Sequence, residues 1–284
     1  MERIQAAIQK AKEQRIDPGA EALLRPAMAV AGPMAAAAGR AGRAGAPGPA
    51  WAELEAFEPD PQLMARNRIV TFADADPAHA TYDMMRTKLL RTLRQNGWTS
   101  VAITSPTNGC GKTTTSLNLA FSLSHQPDVK TVLVDLDLRR PAIAKEIGLT
   151  RPQSMASVLQ GTRPVAESFV RYGETLAIGT NATPLQGSSE LLLNAATAQG
   201  VASIKSALQP DVIIYDMPPM LMSDDTMAFL PYVDCVLLIA AAEKSRLDEV
   251  DKCEQELSDQ TNVLGVVLNK TRQYIPERFS ALIG

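Results

Sequence analysis

The residues best equipped for chemistry lie in Ser105-Pro-Thr-Asn-Gly-Cys-Gly-Lys-Thr-Thr-Thr115, between an apolar run, Val101-Ala-Ile-Thr104, and a helical pattern from Thr113 to Leu123. A strand, a glycine-containing turn and a helix start together make a cradle for an anion. The first N–H groups of a helix have no intrahelical partner, and the helix dipole adds positive potential there. Lys112 supplies a mobile point charge for β- and γ-phosphates, and the Thr113 hydroxyl suits Mg²⁺. Asn108, Gly109, Cys110, Gly111 and Thr114 complete the candidate binding loop. The pattern points to a nucleoside triphosphate bound with Mg²⁺. It departs from the common P-loop at Pro106, which stands where a glycine is usual, six residues before the lysine.

Two further segments carry carboxylates at the ends of apolar runs. Thr131-Val-Leu-Val134 leads into Asp135-Leu-Asp-Leu-Arg-Arg-Pro141. Asp135 and Asp137, two residues apart at a strand end, can face one metal–phosphate site. Val212-Ile-Ile-Tyr215 leads into Asp216-Met-Pro-Pro219. A carboxylate after a buried strand is the Walker B arrangement, which holds Mg²⁺ or orients its water. Taken singly, each segment also reads as a solvated turn after a strand. Three in this order, each at a strand end, are hard to obtain by chance.

These segments need a scaffold that brings strand ends together. Strand patterns fall at Ser100–Thr104, Thr131–Asp135, Thr175–Ile178, Val212–Asp216, Cys235–Ala240 and Leu264–Leu268. Several are unbroken apolar runs, as in strands buried on both faces. Helical patterns separate them. One spans Pro77 to Arg94, with Met84, Met85, Leu89, Leu90 and Leu93 as its apolar stripe. The expected architecture is α/β, a doubly wound, mostly parallel sheet flanked by helices, with ligands at the carboxyl ends of the strands.

The chain has 284 residues and a formal net charge of −3, which argues against a basic nucleic-acid surface. Its three cysteines, Cys110, Cys235 and Cys253, form neither a disulfide framework nor a metal-ligand spacing, and they suit a reducing compartment. His79 and His125 stand alone and read as surface residues. No run approaches the ~18 apolar residues of a membrane span, and the N-terminus lacks the apolar core of a signal peptide, so a cytoplasmic location is expected. Residues 1–16 read as a short helix with Ile4, Ile8 and Ala11 on one face. It fits a solvated helix and a docking helix for a partner or an anionic membrane equally. Residues 17–66 form an Ala/Gly/Pro-rich flexible linker and an arm in which Trp51, Leu54, Phe57 and Leu63 are available for packing. The main domain is expected over 67–284.

The three motifs together resemble the bacterial tyrosine kinases, a branch of the MinD/ParA-like P-loop ATPases that works in capsule and exopolysaccharide production. The resemblance spans about residues 67–272. Asp135-Leu-Asp-Leu-Arg-Arg-Pro141 separates that family best from its relatives, and Gly161, Pro184 with Ser189-Glu-Leu-Leu192, and Gly265-Val-Val-Leu-Asn-Lys270 add to it. The resemblance implies an ATP- and Mg²⁺-dependent autokinase. Lys112 would bind the phosphates. Thr113, Asp135 and Asp216 would hold Mg²⁺ and its waters. Asp137 would activate the acceptor tyrosine, and Asn269 would face the adenine. It also implies self-association, an activating membrane polysaccharide co-polymerase, and recruitment through that partner to the inner face of the plasma membrane. Direct membrane contact and nucleic acid are not expected. Three departures stand out: Cys110 replaces a usual glutamate, the tail holds one tyrosine, Tyr274, and the interface positions Ala80, Asp83 and Arg86 match the family only at the last. The positioning ATPases, by contrast, typically carry a lysine where this chain has Thr107. Alternatives are an ATP-binding switch without kinase activity and a ParA/MinD-like positioning ATPase. At Cys110, the thiol beside Lys112 reads either as a small residue tolerated in the loop or as an oxidisable group whose oxidation blocks ATP.

Overall fold

Three strands set the centre of the sheet: β2 (Ser100–Thr104), β3 (Thr131–Asp135) and β6 (Val212–Asp216), each buried along its whole length in the computed structural model. The structure describes residues 50–72, 78–151 and 153–271. The N-terminal helix and linker expected over residues 1–49, and Tyr274, lie outside the described residues. Strands β1 (Glu55–Ala56), β4 (Phe169–Tyr172), β5 (Leu176–Gly179), β7 (Cys235–Ala241) and β8 (Asn262–Asn269) complete the sheet in the order β1-β4-β5-β3-β6-β2-β7-β8. Every neighbouring pair is parallel except β4 and β5. The sheet is thus mostly parallel, with one antiparallel pair that the sequence pattern did not reveal.

Side chains alternate along the buried strands, so the apolar runs feed two cores. One face carries Val132, Val134, Ile213, Tyr215, Val236 and Leu238, and the other carries Val101, Ile103, Leu133, Ile214, Leu237 and Ile239. On the first face lie α5 (Met155–Leu159), α7 (Ala195–Leu208), α8 (Asp225–Phe229) and α9 (Leu247–Ser258). On the second lie α1 (Pro61–Arg66), α2 (His79–Asn96), α3 (Lys112–Ser124) and α4 (Ile143–Ile147). A further short helix, α6 (Ser188–Leu193), precedes α7.

The arm expected outside the domain is part of the fold. Trp51, Leu54 and Met64 are buried, and β1 pairs with β4. The folded unit therefore extends N-terminal of residue 67 at least to Ala50, whose N–H bonds the carbonyl of Ala207. Helix α3 is buried nearly all round, so its polar side chains need partners. Asn118 accepts from Thr71 N–H and donates to the carbonyls of Arg68 and Thr114, fastening the incoming chain across the helix. In α2 the stripe is narrower than expected: Leu89 and Leu93 are buried, whereas Met84 is 59% exposed. The helix ends at Gly97, whose φ of 68° takes the left-handed conformation that closes it. Arg86 is spent within the chain, donating to Asp83 at 2.6 Å and to the Ser122 carbonyl at 2.9 Å.

The strand that feeds the loop is fixed at its start by Asp234, just before β7. Its carboxylate accepts from the N–H groups of Thr99 and Ser100 at 2.9 and 2.8 Å and from the Ser100 hydroxyl at 2.7 Å. Burial works to raise this carboxyl, but those hydrogen bonds outweigh it and hold it below the usual range.

Two outcomes are expected. Adding a Cβ at Gly200 in α7 would bring it within 2.5 Å of Leu159 Cα and 2.9 Å of the Val158 carbonyl oxygen, both backbone atoms. Alanine gains about 1 kcal/mol in helix propensity, but overpacking of about 1–3 kcal/mol exceeds it, so Gly200→Ala lowers the urea midpoint. A higher midpoint would mean that α5 and α7 separate freely. Because the Asp234 carboxyl is lowered on folding, its contribution is complete above the unfolded value of about 3.9. It is lost as pH falls through that value toward the lower folded one. Asp234→Asn should flatten the acid side of the stability–pH curve, and an unchanged slope would rule this out.

Candidate functional site

The sheet register builds the site. Asp135 and Asp216, the last residues of β3 and β6, are direct partners across the two strands. On the far side of β6, β2 runs out into the glycine loop. That loop is held from behind. The carbonyls of Ser105 and Pro106 accept from Met220 and Leu221 N–H, that of Asn108 from Lys244 Nζ at 2.7 Å, that of Cys110 from Asn269 Nδ2 at 3.0 Å, and that of Gly111 from Thr115 N–H. Among the described residues, none of the N–H groups from Asn108 to Thr114 has a partner within the protein. The loop therefore shows its donors to one side and has its acceptors satisfied on the other. Gly109 and Gly111 hold φ of 73° and 93°, and a Cβ at Gly111 would lie 2.2 Å from Asn269 Nδ2. Asn269, expected to face the adenine, has its amide turned onto the loop.

Beneath the loop, one ammonium serves several carboxylates. Lys112 Nζ lies 2.8 Å from Asp137 Oδ2, 3.8 Å from Asp216 Oδ2 and 3.3 Å from the Thr113 hydroxyl. Thr113 and Ser116 donate to the two Asp216 oxygens at 2.7 and 3.0 Å. Asp135 accepts from the N–H groups of Asp137, Ala142 and Ile143, each at 3.2 Å, so it shapes the turn and starts α4. Asp137 in turn accepts from Arg140 N–H at 3.1 Å.

Asp135 and Asp216 are fully buried and Asp137 is 4% exposed. Burial first, then repulsion from Asp216, pushes the Asp135 carboxyl well above the usual range. Burial also raises Asp216, against the pull of Lys112 and the Thr113 hydroxyl. Burial would depress Lys112, but Asp216 and Asp137 outweigh it and raise its ammonium. The centre sets three carboxyl groups against one lysine, which suits a cation. Among the described residues no three His, Cys, Asp or Glu side chains form a metal cage. That donor set fits Mg²⁺, which keeps several waters and binds through one or two protein oxygens and phosphates.

A cavity of about 150 Å³ opens beside this centre, lined by Asn108, Asp137, Arg140, Pro218, Pro219 and Met222 among others. A larger cleft of about 400 Å³ lies near the start of β5 and the end of α3, away from the strand ends that carry the carboxylates. All loop and carboxylate positions singled out in the sequence meet here. The sequence reading missed Ser116, Lys244 and the partners of Arg139. Ser116 had a local signal, one helical turn after Lys112 and on the same face, whereas Lys244 and Asp225 are distant in sequence and had none. The Cys110 thiol is fully buried, donating to the Thr107 carbonyl at 3.2 Å and lying 3.5 Å from the Ser245 hydroxyl. It faces the protein rather than the loop's donor side. Burial pushes it up, but the bonds to Ser245 and Thr107 outweigh this and lower it.

Known proteins resemble this chain in sequence and fold. A family model described as the CobQ/CobB/MinD/ParA nucleotide binding domain matches residues 101–277. EpsB of Ralstonia solanacearum is 30% identical over 68% of this chain, and the chain spans only 26% of EpsB's length. Tyrosine-protein kinase YwqD of Bacillus subtilis is 25% identical, with 72% of this chain and 86% of YwqD covered. The crystal structure of the VpsO kinase domain superposes with a TM-score of 0.60 at 30% identity, covering 68% of this chain and 96% of that one.

Lys112→Met should weaken binding of a fluorescent ATP analogue at least tenfold. It should also lower stability by about 3–5 kcal/mol in urea at pH 7, because the buried carboxylates lose their ammonium. Undiminished analogue binding would mean that the loop amides suffice without the lysine.

Proposed function

Since the chain belongs to the CobQ/CobB/MinD/ParA nucleotide-binding family, we propose that it is an ATP- and Mg²⁺-dependent protein-tyrosine kinase that regulates exopolysaccharide or capsule assembly. The observation that carries this reading is the position of Asp137. It pairs with Lys112 at 2.8 Å on one side and lines the cavity on the other. A carboxylate between Lys112 and an open slot is placed to act as a base toward a hydroxyl in that slot. The kinase names of YwqD and VpsO support the same reading.

In this reading the donor-only face of the loop holds the phosphates, and Lys112 Nζ moves its charge from Asp137 toward them. Thr113 and Asp216 would hold Mg²⁺ and its waters, while Asp135 fixes the turn through the N–H groups it accepts from. Bound Mg²⁺–ATP supplies the phosphoryl group and the positive charge that offsets its transfer. Released from Lys112, Asp137 accepts the proton of an acceptor phenol in the cavity. A phenol of ordinary pKa, about 10, needs such a base at neutral pH.

The proposed acceptor lies outside the described core, where Tyr82, Tyr172 and Tyr232 are half-buried and Tyr215 is buried. Tyr215 is buried, with its hydroxyl unpartnered in the core, and burial raises its phenol strongly. Tyr82 and Tyr172 are half-buried and likewise raised by burial. Tyr274 or a second protein is the better substrate. A membrane polysaccharide co-polymerase is the proposed activator, with the kinase recruited by it to the inner membrane face and acting between copies of itself. Among the described residues no helix is long and apolar enough to cross a membrane, which suits recruitment by a partner.

Incubation with Mg²⁺–ATP and the cytoplasmic tail of a candidate co-polymerase, followed by mass spectrometry, should map phosphotyrosine to Tyr274 or to the partner. Asp137→Asn should cut its formation about 10²–10⁴-fold while ATP-analogue binding persists. ATP turnover with a stimulating tail but no phosphotyrosine would refute the kinase reading and favour a switch.

A further inference from the structure

The cavity beside Asp137 has two walls, the turn after β3 and the loop between β6 and α8. Arg139 ties one to the other. Its Nε donates to the Ser188 hydroxyl at 3.0 Å and to the Asp225 oxygens at 3.2 and 3.3 Å. Its Nη2 donates to the Ser189 hydroxyl at 2.9 Å and lies 3.1 Å from Asp225 Oδ1. Ser188 closes the cluster by donating to Asp225 Oδ2 at 2.6 Å.

The two partners differ in burial. Asp225 is fully buried at the start of α8, while the Arg139 side chain is 45% exposed. A planar guanidinium bonded through both Nε and Nη2 has its orientation fixed, which a single ammonium cannot reproduce. Only Leu138 separates Arg139 from Asp137. Leu138 is itself buried, and its carbonyl accepts from Leu185 N–H at 2.7 Å. With so short and so anchored a connection, movement of Arg139 is passed to Asp137.

We propose that Arg139 is a positioning residue: clamped to Asp225, Ser188 and Ser189, it sets the spacing of the two cavity walls and aims the Asp137 carboxylate at Lys112. The role in turnover rests on the reading of Asp137 as the group that acts on the acceptor. The clamp itself does not.

The test uses the full chain. Asp225→Asn removes the buried charge with little change in shape and leaves a solvated arginine. Arg139→Lys keeps the charge and loses the fork. Hydrogen exchange followed by mass spectrometry should show residues 136–143 exchanging at least tenfold faster in both variants, with α3 and β6 as protected as in the parent. Unchanged exchange over 136–143, or equal loosening of α3 and β6, would overturn the proposal. In phosphotyrosine formation, Asp225→Asn should lower kcat about tenfold with KM for ATP within twofold, and should add nothing in an Asp137→Asn background. Full additivity in that cycle would break the link to Asp137. A parent protein that turns over ATP but makes no phosphotyrosine would refute the kinase reading alone, because hydrogen exchange still decides the clamp.

Discussion

Three buried carboxylates gathered around one ammonium are the constraint on which the rest of this structure depends. Asp135 and Asp216 are forced together because they end adjacent strands in register. Asp137 joins them because the turn after β3 is capped by Asp135 itself. Such a cluster is costly unless each charge is hydrogen-bonded or neutralised. Lys112 answers part of that demand, and the hydroxyls of Thr113 and Ser116 answer more. What remains, burial above all, shows in the raised carboxyls of Asp135 and Asp216. A site that sets a cluster of carboxyl groups beside a row of free N–H donors is matched to a ligand carrying both signs. A metal–nucleotide is such a ligand.

The same logic explains why so much of the protein lies behind the loop rather than in it. A peptide presents its N–H on one side and its carbonyl on the other, so a cradle of donors leaves a back face of acceptors that must also be satisfied. Here the donors come from three directions: Met220 and Leu221 after β6, Lys244 after β7, and Asn269 at the end of β8. Each lies just beyond a carboxyl end of the parallel sheet. The parallel arrangement is therefore what allows a short loop to be satisfied on its back face without burying its front.

Legibility in the sequence followed locality. The central strands could be read because burial on both faces demands unbroken apolar runs, as in Thr131–Asp135 and Val212–Asp216. The carboxylates could be read because each follows its strand directly. The antiparallel β4 escaped notice because Phe169-Val-Arg-Tyr is short and its second half is only half-buried. β1 is just two exposed residues, and only Trp51 and Leu54 beside it hinted at packing. Arg139 stood in plain view within the motif, but its partner Asp225 lies 86 positions away, and no spacing rule joins them. A tertiary ion pair of this kind becomes visible only when the fold exists.

Cys110 shows how a departure in sequence can leave the function of a loop intact. Its backbone belongs to the cradle, but its side chain is turned inward to Thr107 and Ser245 and is wholly enclosed. A small side chain suits that enclosure. A carboxylate would need either a partner there or a rotation into solvent. Neighbouring bonds lower the thiol, but an oxidant cannot reach it while the loop keeps this form. Of the two readings open in the sequence, the geometry favours a packing residue that seals the back of the loop. The chemistry is then left to Lys112, Thr113 and the carboxylates. The same separation recurs throughout the site: backbone donors and a few charges face the ligand, while the side chains that fix them, from Cys110 to Arg139, face the protein.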